Sequence, residues 1–296
     1  MLRYKADLRS LAYMAVTTAL FVWQWIYGFN VWIYVVYLHL SVAVSVMTHN
    51  HNHLNMWKNK TLNKLTDWWL TVFYGIPIFC WIPTHNKNHH RHNNKPEDYT
   101  ATYMRSEEND WFTMLSYPSV SSYHQIKRGI LPYMRELYKN DRTTFWDYIT
   151  QAIVLVVWIL IFLILDWQKA LLFVIIPQQV SGYFVMIFNY VQHVHADEES
   201  KWNHSRNFLG VNLFLFNNGL HTAHHQKAGV HWSEVPQLHN EIKHHIDPVL
   251  IEKSFWGYMF RVYVLGNIHA KWKTKSMRLE RIALAQQRET PTVHSS

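Results

Sequence analysis

The stretch ITQAIVLVVWILIFLILDWQKALLFVIIPQQVSGYFVMIFNYVQHVH, residues 149–195, holds two long apolar runs joined by a short polar link. The runs 149–165 and 170–190 reach or approach the ~20 residues that an α-helix needs to cross the ~30 Å hydrocarbon core of a bilayer. Because the link is only four residues long, the two runs predict a helical hairpin in the membrane. His193 and His195 follow the second run closely, so candidate metal ligands lie at the end of the hairpin.

A similar pair of runs lies near the N-terminus, at 11–27 and 30–48, with only Gly28 and Phe29 between them. Across the 296 residues, 49% are hydrophobic and only 16% are charged, whereas about 25% charged residues is usual in soluble domains. The predicted fold is therefore an all-α membrane protein. It has four transmembrane helices in two hairpins, plus a cytoplasmic helical cap.

Basic residues indicate the orientation of the hairpins. They flank the outer ends of the spans, whereas the tips carry only Lys169. Cytoplasmic loops are enriched in lysine and arginine, which predicts that both termini and both large polar regions are cytoplasmic. The flanking residues are Arg3, Lys5, Arg9, Lys58, Lys60, Lys64, Arg135, Lys139 and Arg142.

A fifth apolar segment, residues 68–82, is short and is interrupted by Gly75 and Pro77. If it crossed the membrane, the histidines before it and those after it would lie on opposite faces. We therefore predict an interfacial or re-entrant segment, with tryptophan at headgroup depth. The same prediction applies to residues 207–220 and 255–265. Residues 1–290 are predicted to form a single domain, followed by a disordered tail at 291–296.

Histidine is unusually abundant, with 21 residues against 20 acidic ones, and most of it clusters beside the predicted spans. Imidazole is the commonest protein ligand for transition metals. His49 and His53 are four residues apart, so on a helix they share one face. A single zinc site uses about four ligands and does not account for so many. We predict one cytoplasmic metal site at the membrane surface, with ligands His49, His53, His85, His89, His90, Asn189, His193, His221, His224 and His225.

Three of these clusters, THNHNH at 48–53, HNKNHH at 85–90 and HTAHH at 221–225, resemble the histidine boxes of membrane fatty acid desaturases and related hydroxylases. The segment NYVQHVH at 189–195 is similar to the additional histidine motif of that family. The resemblance covers about residues 10 to 265. It implies two non-haem iron ions, held mainly by imidazole, that activate O₂ against an unactivated C–H bond.

The resemblance favours a bacterial-type desaturase that introduces a double bond into an acyl chain. Hydroxylases and carotenoid ketolases share the box pattern and remain the alternative. A membrane metal transporter is a distant alternative, because transport ligands should lie at mid-bilayer and only His39 is deep in a predicted span. The pattern leaves open whether His51, His92 or His195 also bind metal.

Cys80 is the only cysteine, which excludes a cysteine-held iron–sulfur cluster, and no haem or flavin motif is present. The electrons must therefore come from an external donor, a ferredoxin or a cytochrome b5-type protein with its reductase. The net charge of +8 suits an acidic partner or anionic headgroups, and no nucleic-acid-binding module is visible. We expect a lipid or acyl-thioester substrate, and a multi-pass location in a bacterial inner membrane.

Overall fold

A computed structural model describes residues 1–289 of the chain, and the predicted tail at 291–296 lies outside these residues. The described part is predominantly helical, as predicted. Its long N-terminal helices are α1 (Leu8–Tyr27), α2 (Val31–His53), α3 (Lys60–Tyr74) and α4 (Ile78–His92). The middle of the chain forms α5 (Trp111–His124), a π-helical turn (Gln125–Ile130), α6 (Leu131–Asn140), α7 (Arg142–Leu165) and α8 (Trp167–His193). Beyond α8 lie α9 (His221–Gln226), α10 (Val235–Ile242), α11 (Phe255–Met259) with a π-helical turn (Phe260–Leu265), and α12 (Met277–Glu289).

Three helices among residues 1–289, α2, α7 and α8, are long and apolar enough to cross a membrane. They correspond to three of the four predicted spans. The predicted first span is also helical, as α1, and it packs against α2. It falls outside the set of three because it is more polar, with Thr17 and Gln24 buried on its packed side.

The segment predicted to be interfacial or re-entrant contains a sharp bend of 92° between α3 and α4. Gly75 ends α3 with a φ of +82°, a left-handed conformation that side chains rarely adopt. A Cβ at this position would lie 2.4 Å from Cβ of Gln178, so only glycine, which has no side chain, fits at the bend. The imidazoles of His49 and His85, on either side of the segment, are in contact. The chain therefore turns back to the same face, which favours the re-entrant arrangement over a crossing.

Helices α2 and α8 pack together at the centre of the fold. Ala43 and Val44 are fully buried, and the Ser181 hydroxyl of α8 donates to the backbone carbonyl of Ser41 at 2.6 Å. Small residues allow such close helix approach where lipid gives no hydrophobic drive for association. Because both helices end in histidines, this contact sets the distance between two parts of the predicted metal site.

The two remaining interfacial predictions differ in structure. Residues 255–265 are helical and expose Trp256 and Phe260 one turn apart, as an interfacial helix would. Residues 207–220 are mostly turns, beginning with a two-residue strand β1 (Asn207–Phe208) that pairs in parallel with β2 (Ile251–Glu252).

The helical stretch from α5 to α6 was not predicted as an apolar segment. It exposes Phe112, Leu115 and Ile126, while α5 packs against α8 and α6 packs against α7.

Candidate metal centre

Nine of the ten predicted ligands come together in two neighbouring groups, from the ends of α2 and α8 and from α4 and α9. Within each group the candidate ligand nitrogens all lie within 4.8 Å of one another. The first group, here the quintet, comprises His49, His53, His85, His90 and His224. The second, the quartet, comprises His89, His193, His221 and His225.

Four Nε2 atoms of the quintet form a closed square. The edges are His49–His85 at 2.9 Å, His85–His90 at 3.0 Å, His90–His224 at 3.1 Å and His224–His49 at 3.0 Å. The ring of His53 lies 4.6 to 5.1 Å from the other four ring centroids. The five imidazoles thus form a square pyramid with His53 at its apex, and the position opposite His53 carries no imidazole of the quintet.

The quartet is more open. Nε2 of His221 lies 2.9 Å from that of His193 and 3.1 Å from that of His225. The ring of His89 lies 4.7 Å from His193 and 4.9 Å from His225, and its Nε2 is buried without a hydrogen-bond partner among the described residues. The two groups adjoin where the rings of His90 and His225 are 4.5 Å apart.

These nitrogens fit metal ions better than they fit one another. A neutral imidazole has one N–H, so five converging Nε2 atoms cannot all be satisfied by mutual hydrogen bonds. Nitrogens bound at right angles to an ion at about 2.1 Å are about 3.0 Å apart, whereas tetrahedral ligands are about 3.4 Å apart. The observed edges of 2.9 to 3.1 Å match the right-angled arrangement. The quintet therefore suits a transition metal with five or six ligands and not four-coordinate zinc.

Burial keeps the histidines of the cap neutral. Desolvation, reinforced by neighbouring histidines, holds the pKa well below its ordinary value in both groups. The affected residues outside the spans are His85, His90, His221, His224 and His225. Metal ligation requires the unprotonated ring. The site is therefore prepared for metal at neutral pH.

A buried carboxylate orients one quartet ligand. Asp98 Oδ2 accepts from Nδ1 of His89 at 2.7 Å, and the backbone N–H of Asn94 donates to the same oxygen. The Thr100 hydroxyl and N–H both donate to Asp98 Oδ1. Burial alone would raise the pKa of Asp98, but His89 and the Thr100 hydrogen bonds lower it overall. The ionised Asp98 fixes the His89 tautomer and leaves Nε2 free for a metal.

Other ligand nitrogens are oriented by neutral groups. The Nδ1 atoms of His193 and His49 lie 3.1 Å from the His204 carbonyl and from Asn50 Oδ1, respectively. The His204 contact had no signal in the sequence, because it joins the end of α8 to a backbone carbonyl of the following loop, which any residue type would supply.

Asn189, the tenth predicted ligand, lies one helical turn before His193 on the wall of a cavity. Its amide nitrogen donates to the Tyr117 hydroxyl at 2.7 Å, which orients the side chain and leaves its oxygen available as an acceptor. Its role as a ligand stays a prediction.

The three histidines left open by the sequence lie outside both groups. Nε2 of His51 contacts Asp67 at 3.1 Å, and its Nδ1 accepts the Met56 N–H. Both ring nitrogens of His195 contact backbone carbonyl oxygens. His92 is half-buried one turn beyond His89.

A cavity of about 470 Å³ leads to both groups. It runs between α4, α5 and α8, and its inner end is lined by His49 and His85 of the quintet and by His221 of the quartet. Trp81, Val185 and Phe188 provide apolar wall nearby. A hydrophobic molecule in this cavity would meet both histidine groups at once.

The depressed histidine pKa values predict a loss of stability in acid. The histidines concerned are His85, His90, His221, His224 and His225. Below about pH 6.5 the unfolded chain binds protons at them, whereas the folded chain does not. The free energy of unfolding should therefore fall as the pH drops below that value, by up to about 1.4 kcal/mol per pH unit for each histidine. Thermal unfolding of chelator-treated protein at about pH 7.5 and about pH 5.5 measures this. Equal melting temperatures would contradict the prediction.

The sequence comparisons agree with this geometry. A family model described as fatty acid desaturase matches residues 23–256, a range that contains every histidine of the quintet and the quartet. Among curated proteins and solved structures, none matches the chain. The matched range covers most of the 296 residues. The chain therefore belongs to the fatty acid desaturase family of oxidoreductases.

Proposed function

We propose that the protein is an O₂-dependent membrane acyl-lipid desaturase with one iron in the quintet and one in the quartet. The main support is that the five imidazoles of the quintet and the four of the quartet form two adjoining groups at the inner end of one cavity. Imidazole is a suitable ligand type for iron. Two bound irons would supply O₂ activation and attack on an unactivated C–H bond.

The position of the cavity is compatible with desaturation. Because both the quintet and the quartet line its inner end, an extended chain can present two neighbouring carbons to the two groups. The balanced reaction converts –CH₂–CH₂–, O₂, two electrons and two protons into –CH=CH– and two waters. The apolar walls hold the chain and exclude bulk water from the reacting carbons.

The decisive experiment is lipid profiling of a host that expresses the protein, beside His221→Ala as the inactive control. We expect a new double bond that disappears in the variant, because His221 links His193 and His225 in the quartet. A hydroxylated or keto product, also lost in the variant, would support the alternative reaction. Purified protein with one zinc and no iron would contradict the proposal altogether.

We also propose that an acidic one-electron carrier, a ferredoxin or cytochrome b5-type protein, docks on the cytoplasmic cap. Exposed Arg91 directly follows His90, and exposed Lys227 lies two residues after His225. Lys201 is also exposed. It lies near Lys227, because its backbone carbonyl accepts a hydrogen bond from the Gln226 side chain. Arg91 and Lys227 are thus close in the chain to His90 and His225, the two rings at which the quintet and the quartet adjoin, and electrons could enter there.

This docking proposal predicts that electron transfer slows as ionic strength rises, because salt screens attraction between exposed charges. Lys227→Glu should lower the bimolecular rate by about 3- to 10-fold at low salt. Lys139→Glu, the same change on the distant helix α6, is the control. Stopped-flow reduction of the metal centre measures the rate, and a salt-independent rate would contradict the proposal.

A further inference from the structure

Arg206 is the largest fully buried side chain among residues 1–289, with only 2% of its surface exposed. Arginine is almost never fully buried unless an acid pairs with it. Within the described part of the chain, the only carboxylate that reaches Arg206 is that of Glu252, at 4.0 Å. Glu252 makes a closer ion pair with Arg261. The ion pair therefore does not explain the burial of Arg206, which needs other interactions.

The Arg206 guanidinium binds the C-terminal end of α8. Its Nη1 atom donates to the backbone carbonyls of Val191 at 2.9 Å and Val194 at 3.2 Å. The backbone N–H of Arg206 donates to the carbonyl of Gln192 at 2.6 Å. The last carbonyls of a helix have no partner within the helix, and a cation there also interacts favourably with the helix dipole. Arg206 therefore fixes the last turn of α8, which carries the quartet ligand His193.

The residues beside the buried arginine connect the same turn to α9. The backbone carbonyl of His204 accepts from Nδ1 of His193 at 3.1 Å. The Asn207 side chain accepts from the N–H of Thr222 at 3.1 Å and donates to the Thr222 hydroxyl at 2.9 Å. Thr222 directly follows the quartet ligand His221. This short segment thus joins the two helices that carry His193 and His221, whose Nε2 atoms lie 2.9 Å apart.

We propose that Arg206 is a positioning residue for the quartet. It binds no metal itself, and it holds His193 at the distance from His221 at which both rings reach one ion. An apolar side chain in its place would leave the Val191 and Val194 carbonyls buried without this donor, which is costly. The metal-binding part of this inference rests on the proposed function, whereas the capping of α8 does not.

Hydrogen exchange of the full-length, metal-free protein tests the capping. Arg206→Met removes the charge and the side-chain hydrogen bonds, and apolar replacement of a buried charge at similar volume is often tolerated. We expect the backbone amides at the C-terminal end of α8 to exchange about 10-fold faster in this variant. Arg261→Met is the matched control and should leave this exchange unchanged. Both arginines lie over the Tyr258 ring and near Glu252, but within residues 1–289 Arg261 makes no hydrogen bond to α8.

Metal affinity tests the positioning role, with ferrous iron as the probe and a chelator as the competitor. In a His224→Ala background, which lacks a quintet ligand, the remaining ion reports on the quartet. Arg206→Met should weaken its binding by about 10- to 100-fold, the usual effect of losing a group that supports a ligand. Arg206→Lys keeps the cation but not the planar fork, so a smaller loss is expected. In a His221→Ala background, where the ion reports on the quintet, neither change should alter the affinity.

Three outcomes would overturn the inference. Equal weakening of the quintet and the quartet by Arg206→Met would show general destabilisation, and an unchanged quartet would show that Arg206 does not position a ligand. If Arg206→Met does not fold, Arg206→Lys decides, and a quartet affinity equal to that of its background would be the contrary result. Faster exchange at α8 in a protein that binds no iron would count against the proposed function and leave the capping by Arg206 standing.

Discussion

His224→Ala is expected to empty the quintet of metal and to abolish activity, with a loss of at least about 10³-fold, or about 4 kcal/mol in the activation barrier. The Nε2 atom of His224 closes the square of the quintet, at 3.0 Å from that of His49 and 3.1 Å from that of His90. Alanine removes this nitrogen, so the square keeps only three of its four Nε2 atoms.

The metal content makes this prediction specific. The quartet contains no atom of His224, so His224→Ala protein should retain about one metal ion in place of two. His92→Ala, at a half-buried histidine outside both groups, is the control and should keep both ions. Elemental analysis of purified protein measures the stoichiometry. Two retained ions in His224→Ala would contradict the assignment of His224 to the quintet.

Asp98→Asn is expected to lower metal affinity in the quartet by about 10- to 100-fold, the usual effect of losing a partner that orients a ligand. The carboxylate accepts from His89, from the Asn94 N–H and from both donors of Thr100. An amide replaces one acceptor oxygen by an N–H₂ group, which then faces other donors. The His89 ring loses its fixed orientation as a result.

A second histidine–aspartate pair provides the matched control. Asp67 lies 3.1 Å from Nε2 of His51, a histidine outside both groups. Asp67→Asn should therefore leave metal affinity unchanged. Titration against a chelator measures the metal affinity of each variant. In Asp98→Asn, the ion lost first should be the one that the quartet binds. Equal weakening by Asp67→Asn and Asp98→Asn would show that the effect is general destabilisation.

Pairs of adjacent histidines show where sequence reasoning stops. His89 and His90 are neighbours in one box, yet His89 belongs to the quartet and His90 to the quintet. His224 and His225 divide in the same way. Successive side chains on a helix point about 100° apart, so one box can serve two ions. The spacing predicts shared ligation but not which ring joins which group.

The local pattern of the sequence determined the helical membrane fold, the positions of α2, α7 and α8 and the nine histidines, because apolar length and helical spacing are short-range properties. Only the tertiary structure decided the 92° return at Gly75, the division into quintet and quartet, and the choice of Asp98 to orient His89. It also decided that α5 closes the cavity over α8. These features depend on contacts between residues that are distant in the chain, and such contacts are set by packing in three dimensions.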